Sequence, residues 1–300
     1  MTLLAHLHHL TRYQYDRAVN LGPHIVRLHP APHCRTPIGA YSLTVRPSSH
    51  FIHWQQDPLA NRLARLVFTQ PCTEFEVEVD LSVTLTELNP FDFFLDPSAN
   101  AYPFSYSDSD QRTLAPYLSV ESACGAWPRF LDLARELDRP ASDTVQFLIA
   151  ANQRIARAIT YGVRHEAGVQ TPEQSLELGS GSCRDSSWLL VQLFRRLGLA
   201  ARFVSGYLID VLVSAQGDVP GSPDLPSRSE LHAWCEVYLP GAGWIGMDPT
   251  SGLLTGAGHI ALACALDPAA AAPVEGRADI AEVRFSHRID IQVSKAEVPK

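Results

Sequence analysis

Cys183, His232 and Asp248 are the residues of this chain whose types and order fit one chemistry, acyl transfer through a thiol. That chemistry needs a thiolate to attack a carbonyl carbon. It needs an imidazole to hold the ion pair and then protonate the leaving amine. It also needs a carboxylate to fix the imidazole's tautomer and orientation. Distance along the chain does not disqualify the set, because triads are defined by geometry. Taken singly, each residue has a plainer reading: Cys183 as a small side chain under a helix start, His232 as a satisfied strand histidine, and Asp248 before Pro249 as a turn residue. The conjunction is what points to catalysis.

The segment from Ser180 to Gly198 must position the thiol, and it reads as a helix. Ser182 serves as N-cap, with Asp185 completing an S-x-x-D capping pattern. Leu190, Leu193, Phe194 and Leu197 share one buried face. Arg195 and Arg196 suit the negative end of the dipole, and Gly198 can close the helix in a left-handed conformation. Cys183 then occupies the first helical position, where unpaired N–H groups favour a thiolate and can also donate to an oxyanion. Gly179 and Gly181 would keep bulk away from an approaching substrate backbone.

Leu231 to Leu239 must position the base. Its odd residues (Leu231, Ala233, Cys235, Val237, Leu239) suit a core, so His232, Trp234, Glu236 and Tyr238 face the other way, towards polar chemistry or solvent. Cys235 is thereby a structural cysteine, and Trp234 a packing residue that could also shield an ion pair. Trp244 to Asp248 returns as a second strand. An odd-length turn, Pro240 to Ala242 with Gly243 as a bulge, would set Asp248 opposite Trp234 on the face of His232; an even turn would point it away.

The remaining chain divides into a β-rich segment over 1–88, a packed Pro- and aromatic-rich connector over 89–128, and a core over 129–300. In the first, Phe75, Val77, Val79, Leu81, Val83 and Leu85 alternate along one strand face. His6 and His8 could share a face and hold a metal, but no third ligand with recognised spacing accompanies them. Helices are expected over Pro128–Leu137 and Asp143–Thr160, the latter burying Val145, Ile149, Ile155 and Ala158. A loop is expected over Tyr161–Leu178, and a strand over Ala200–Val213 with Gly206 at a bulge. Gln216–Ser229 reads as an exposed loop, Gly256–Ala278 as mostly loop, and Glu282–Val293 as a strand that closes or edges a sheet.

The chain has 300 residues, 46% of them hydrophobic, and a net charge of −8 without any dense basic run. These features argue against nucleic-acid and membrane-surface partners. No apolar run is long enough to span a bilayer, and Met1–Leu10 does not read as a signal peptide. The six cysteines form no C-x-x-C pair. A disulfide scaffold or zinc ribbon is therefore not expected, and a cytoplasmic setting is.

Gly181–Ser187 (GSCRDSS), His232–Trp244 (HAWCEVYLPGAGW) and Asp248–Thr250 (DPT) together resemble the bacterial transglutaminase-like cysteine proteases. Tyr13–Tyr15, Arg27–Pro30 and Asp57–Arg62 extend the resemblance to the β-rich region that precedes the core in that family. The resemblance implies an α+β fold: a papain/transglutaminase-like core, with a Cys-bearing helix on an antiparallel sheet, behind a β-sandwich-like N-terminal domain. It maps the family's catalytic residues onto Cys183, His232 and Asp248. It implies a hydrolase acting on amide bonds of a protein or peptide-like substrate, with no metal and no cofactor. Glutamine acyl transfer and a non-catalytic partner-binding module are the alternatives. The Cys183 N–H is the expected first oxyanion donor, while Tyr161, Gln170 or a backbone group could supply the second.

Overall fold

The computed structural model describes residues 2–138, 142–164, 166–211, 224–225 and 227–296. Alternation dictates the N-terminal half. The strands are β1 (Leu3–Val19), β2 (His24–Val26), β3 (Ile38–Arg46), β4 (His50–Gln56), β5 (Arg62–Phe68) and β6 (Cys72–Leu85). The expected inward face of β6, from Phe75 to Leu85, is buried throughout.

The helices are α1 (Asp108–Leu118), α2 (Pro128–Leu137), α3 (Thr144–Ala158), α4 (Pro172–Leu178) and α5 (Cys183–Arg196). The strands β7 (Ala201–Val211), β8 (Ser227–Leu239), β9 (Gly243–Asp248), β10 (Leu253–Leu254) and β11 (His259–Ala265) form one sheet in the order β10-β9-β8-β7-β11. β12 (Val274–Glu275) and β13 (Val283–Lys295) follow.

The last strand does not stay with the segment that the sequence division assigns it to. β13 pairs with β1 from Leu3↔Lys295 to Tyr15↔Val283, in a sheet ordered β13-β1-β6-β3 and flanked beyond β13 by the short strand Asp224–Leu225. β12 likewise joins β2, β5 and β4 in the second N-terminal sheet. The chain thus leaves the N-terminal layers, builds the core, and returns to complete both sheets.

The two halves share a continuous apolar seam. Leu7, Val77, Val79 and Val293 pack in one cluster with Tyr207 and Ile209 of β7 and with Ile260 and Leu262 of β11. A polar link also joins the halves: His9 Nδ1 lies 2.8 Å from the Tyr207 hydroxyl, and His9 Nε2 lies 2.8 Å from Thr11 Oγ1. Burial, the largest influence, lowers the His9 pKa to about 4 and keeps this imidazole neutral.

α5 is the centre of the second core. Leu190, Leu193 and Phe194 are buried as expected, but so are Trp188, Leu189 and Val191. A helix apolar on one stripe was expected; this one is enclosed on nearly every side. Arg195 is enclosed with it, donating to the carbonyls of Ala201, Ser119 and Leu266. On α3 the buried stripe runs through Phe147, Leu148, Ala151 and Ile155, leaving Val145, Ile149 and Ala158 half-buried, so the packed face is rotated from the one expected.

Several segments read as loop are ordered elements. α1 lies within the connector and is capped by Ser107 Oγ, which accepts from the Asp110 N–H. The connector's Tyr102 and Tyr106 are buried against the core, their hydroxyls donating to the carbonyls of Leu197 and Tyr238. α4 lies in the expected Tyr161–Leu178 loop and starts with a reciprocal Thr171/Gln174 capping box. β11 lies in the expected Gly256–Ala278 loop. Of the expected Gln216–Ser229 loop, residues 216–223 and 226 lie outside the described residues, while 224–225 and 227–229 are strand.

Gly206 sits opposite His232 in the β7–β8 pairing, and the β7–β11 register shifts between Ser205 and Gly206; the extra residue is Leu262 on β11, so the bulge expected at Gly206 lies on the strand beside it. A Cβ here would overlap the Ile260 carbonyl oxygen and the six-membered ring of Trp234. Gly206→Ala is therefore expected to destabilise the fold by about 2 kcal/mol or more, read as a lower urea midpoint. A midpoint unchanged from wild type would show that Trp234 yields freely.

Candidate active site

The site starts from a cap. The Ser182 N–H donates to the Asp185 carboxylate at 2.8 Å, and the Ser182 hydroxyl donates to it at 2.7 Å. Asp185 also accepts from the Gln170 N–H at 2.7 Å and from Arg164 through Nε at 2.8 Å and a terminal nitrogen at 3.3 Å. Its side chain is fully buried. Burial is the largest single influence and pushes the carboxyl upward, but the donors from Gln170, Ser182 and Arg164 together hold it below its usual range. Asp185 thus fastens the 164–170 segment to the helix start and fixes where Cys183 begins.

The two glycines before Cys183 serve the backbone. Gly179 closes α4 at φ 60°. A Cβ on Gly181 would crowd Asp185 and Gln170, so its small size admits the capping carboxylate. Gly181 also pairs in parallel with Tyr161, which brings that phenol beside the helix start. Burial first, then the charges of Cys183 and Glu230, raise the Tyr161 pKa to about 12. Gln170 has its side-chain oxygen engaged by the Ser175 hydroxyl at 2.9 Å.

β8 and β9 supply the other two residues. Leu239 pairs with Gly243 and Cys235 with Met247, so the turn is Pro240–Ala242 and Asp248 falls opposite Trp234. This is the odd-length register that puts Asp248 on the face of His232. The odd face of β8 packs Ala233, Cys235, Val237 and Leu239 into the same core as α5, and Cys235 is buried there. The even face is not open to solvent: His232, Trp234 and Glu236 are all buried, Trp234 in a cluster with Ala31, Val204, Ala261 and Cys264.

The structure brings Cys183, His232 and Asp248 together, with exposures of 8%, 4% and 2%. His232 Nε2 lies 3.3 Å from Asp248 Oδ2. The contact is an ion pair with loose hydrogen-bond alignment, a geometry that tightens when a reacting group arrives. Burial is the largest influence on His232 and favours its neutral form, but bonding and charge from Asp248 and Cys183 outweigh it and raise the pKa to about 10. For Asp248 burial again opposes ionisation, and His232 and His259 more than reverse it, holding the carboxyl well below the carboxylate range. The Thr250 N–H and the Ser251 hydroxyl also donate to this carboxylate at 2.8 and 3.0 Å.

His259 is the member that sequence reading missed. Its Nε2 lies 3.5 Å from Asp248 Oδ2, while its Nδ1 accepts from the Gly256 N–H at 3.2 Å. That bond assigns the ring proton to Nε2, facing Asp248. Trp234 stands edge-on to His259 with ring centroids 5.3 Å apart. Asp248 is thus flanked by two histidines rather than one.

Among the described residues, three groups of side chains bring metal-ligating atoms within 4.8 Å of one another: His232/Asp248/His259, His8/Glu78/Asp80 and His33/Glu236/Cys264. His6 belongs to none of them and pairs instead with Ser82.

A helix with cysteine at its first turn, facing histidine and aspartate on neighbouring antiparallel strands, defines the transglutaminase-like α+β core. Comparison with known proteins agrees. Residues 131–249 match the transglutaminase-like superfamily, and residues 5–84 match the bacterial transglutaminase-like N-terminal region. The chain thus carries a transglutaminase-like core behind a bacterial transglutaminase-like N-terminal region. The uncharacterized Mycobacterium tuberculosis protein Rv2569c is 24% identical over 276 residues, covering 89% of this chain and 85% of that one. The uncharacterized Bacillus subtilis protein YebA is 37% identical over 76 residues, 25% of this chain and 10% of that one. A Cytophaga hutchinsonii protein, provisionally named a cysteine protease, shares the fold with a TM-score of 0.71 and 18% identity, covering 100% of this chain and 93% of that one.

Proposed function

We propose that this protein is a thiol hydrolase that cleaves amide bonds of a protein or peptide substrate through Cys183, His232 and Asp248. The observation that carries the reading is the burial of all three side chains, with His232 Nε2 3.3 Å from Asp248 Oδ2 and the protonated imidazole favoured by both Asp248 and Cys183. An imidazole whose protonated form is favoured in this way is ready to pair with a thiolate, the arrangement that thiol acyl transfer needs.

In this reading the Cys183 thiolate attacks the carbonyl carbon, and the oxyanion forms near the unpaired N–H groups of the α5 start. His232 gives its proton to the leaving amine as the carbon–nitrogen bond breaks. A water molecule then loses a proton to His232 and attacks the thioester, releasing a carboxylic acid and returning the thiol. Asp248, held by His259, Thr250 and Ser251, keeps Nε2 of His232 occupied so that Nδ1 serves the reaction. Glu230 Oε1, on a half-exposed side chain, lies 3.8 Å from that Nδ1 and favours substrates carrying a basic group near the scissile amide. A reducing compartment belongs to this reading, because the nucleophile and the other five cysteines are free thiols.

The test is alkylation of Cys183 by iodoacetamide, followed by peptide mapping. Wild type should label rapidly at about pH 6, where an ordinary thiol is protonated, and His232→Ala should slow this by about tenfold or more. Equal, slow labelling of both proteins at that pH would sink the ion-pair mechanism.

A further inference from the structure

Further along the even face of the central sheet that carries His232 lies a second cluster of chemically capable side chains that the hydrolytic reading does not use. His33 comes from the segment between β2 and β3, Glu236 from β8 and Cys264 from β11. His33 Nε2 lies 3.2 Å from Cys264 Sγ and 3.9 Å from Glu236 Oε1. Cys264 Sγ lies 3.9 Å from Glu236 Oε2. In a tetrahedral zinc site, sulfur, nitrogen and oxygen ligands stand about 3.3–3.6 Å apart, as their bond lengths to the metal require. One ligand atom from each of the three side chains lies within 4.8 Å of the others, so side-chain movement of about an ångström would reach that arrangement.

We propose that His33, Glu236 and Cys264 form a binding site for a divalent transition metal of the zinc class, with the fourth position open to water on the exposed side of His33.

The surroundings suit the role. Arg202 donates to Oε2 of Glu236 from Nε at 2.7 Å and from a terminal nitrogen at 2.6 Å, which orients the carboxylate. Oε1, the oxygen facing His33, receives neither. The Arg202 charge has a further partner in the Trp244 ring, 4.2 Å away. The backbone of Cys264 is fixed on both sides by Asn61, which donates to its carbonyl at 2.7 Å and accepts from its N–H at 2.8 Å. Coordination would deprotonate Cys264: one metal–sulfur bond forms and one proton leaves to solvent. Glu236 and Cys264 belong to the core sheet, and His33 to the N-terminal region. The ion would therefore clip the two halves together.

This site is independent of the chemistry at Cys183, so the test is made in a Cys183→Ala background, which removes the competing thiol. Cobalt(II) titrated into the metal-free protein should bind with a sulfur-to-cobalt charge-transfer band and raise the thermal midpoint. Cys264→Ser should abolish the band. His33→Ala, at an exposed residue that the fold does not depend on, should weaken cobalt binding by about tenfold or more. No charge-transfer band, or a band of unchanged affinity in His33→Ala, would overturn the proposal. Failure of the triad reading leaves this result untouched, since the readout is optical and not catalytic.

Discussion

Cys183→Ala is expected to lower turnover by about a thousandfold or more and to leave no acyl-enzyme in intact-mass spectra of substrate-treated protein. The sulfur forms the only covalent bond to substrate in the proposed path, and nothing else at the α5 start can replace it. Alanine keeps the helix, because the Asp185 cap and the apolar enclosure of α5 do not involve the sulfur. Loss of activity should therefore come without a shift in the unfolding midpoint. The pH profile adds a second readout. His232 is raised to about 10, so its protonated form is favoured in the folded state. Its contribution to stability is complete below the ordinary histidine value and is lost as pH rises through about 10. Asp248 has the opposite sign: its contribution is present above the ordinary carboxylate value and fades as pH falls. Ion-pair chemistry should hence fail on an alkaline limb near pH 10. Full hydrolysis by Cys183→Ala would contradict the mechanism outright.

The largest stability effect should come from Asp185→Ala. The carboxylate is fully buried and collects donors from Ser182, Gln170 and Arg164. Its removal leaves two backbone N–H groups and the Arg164 guanidinium without their acceptor. Breaking one side of a buried charged network costs about 3–5 kcal/mol, which lowers the thermal midpoint by roughly 10 °C in a protein of this size. Circular dichroism melting would measure it, and a midpoint within about 2 °C of wild type would show that the cap is dispensable. The same change should slow Cys183 alkylation, because the helix start and the 164–170 segment would lose their common anchor.

How much could be read in advance follows from how local each signal is. The α5 cap, its cysteine and its closing Gly198 rest on residues within one helix length, and all are where the sequence places them. The β8–β9 register rests on one short turn and a strict period of two. β11 escaped because its run, His259 to Ala265, has small residues buried on both faces and therefore no alternation to detect. His259 was lost with it. α4 is short, so its signals, the Thr171 capping box, Pro172 at its start and Gly179 at its end, sit at its termini with too few turns between them to show a period. The packed face of α3 depends on which neighbours cover it, which no single helix encodes. The clustering of His33, Glu236 and Cys264 is written nowhere in local spacing, because three distant segments meet only after folding.

The pairing of β13 with β1 bears on how the molecule comes into being. A ribosome releases β1 long before β13, so the earlier strand waits with one edge unpaired while the whole core is synthesised. Contacts of such long sequence separation slow folding. A nascent chain halted before residue 283 would carry the nucleophile, base and carboxylate but an unfinished N-terminal sheet. Assembly of the two halves is thereby tied to the emergence of β13, and protection of the β1 edge in that interval falls to whatever escorts the emerging chain.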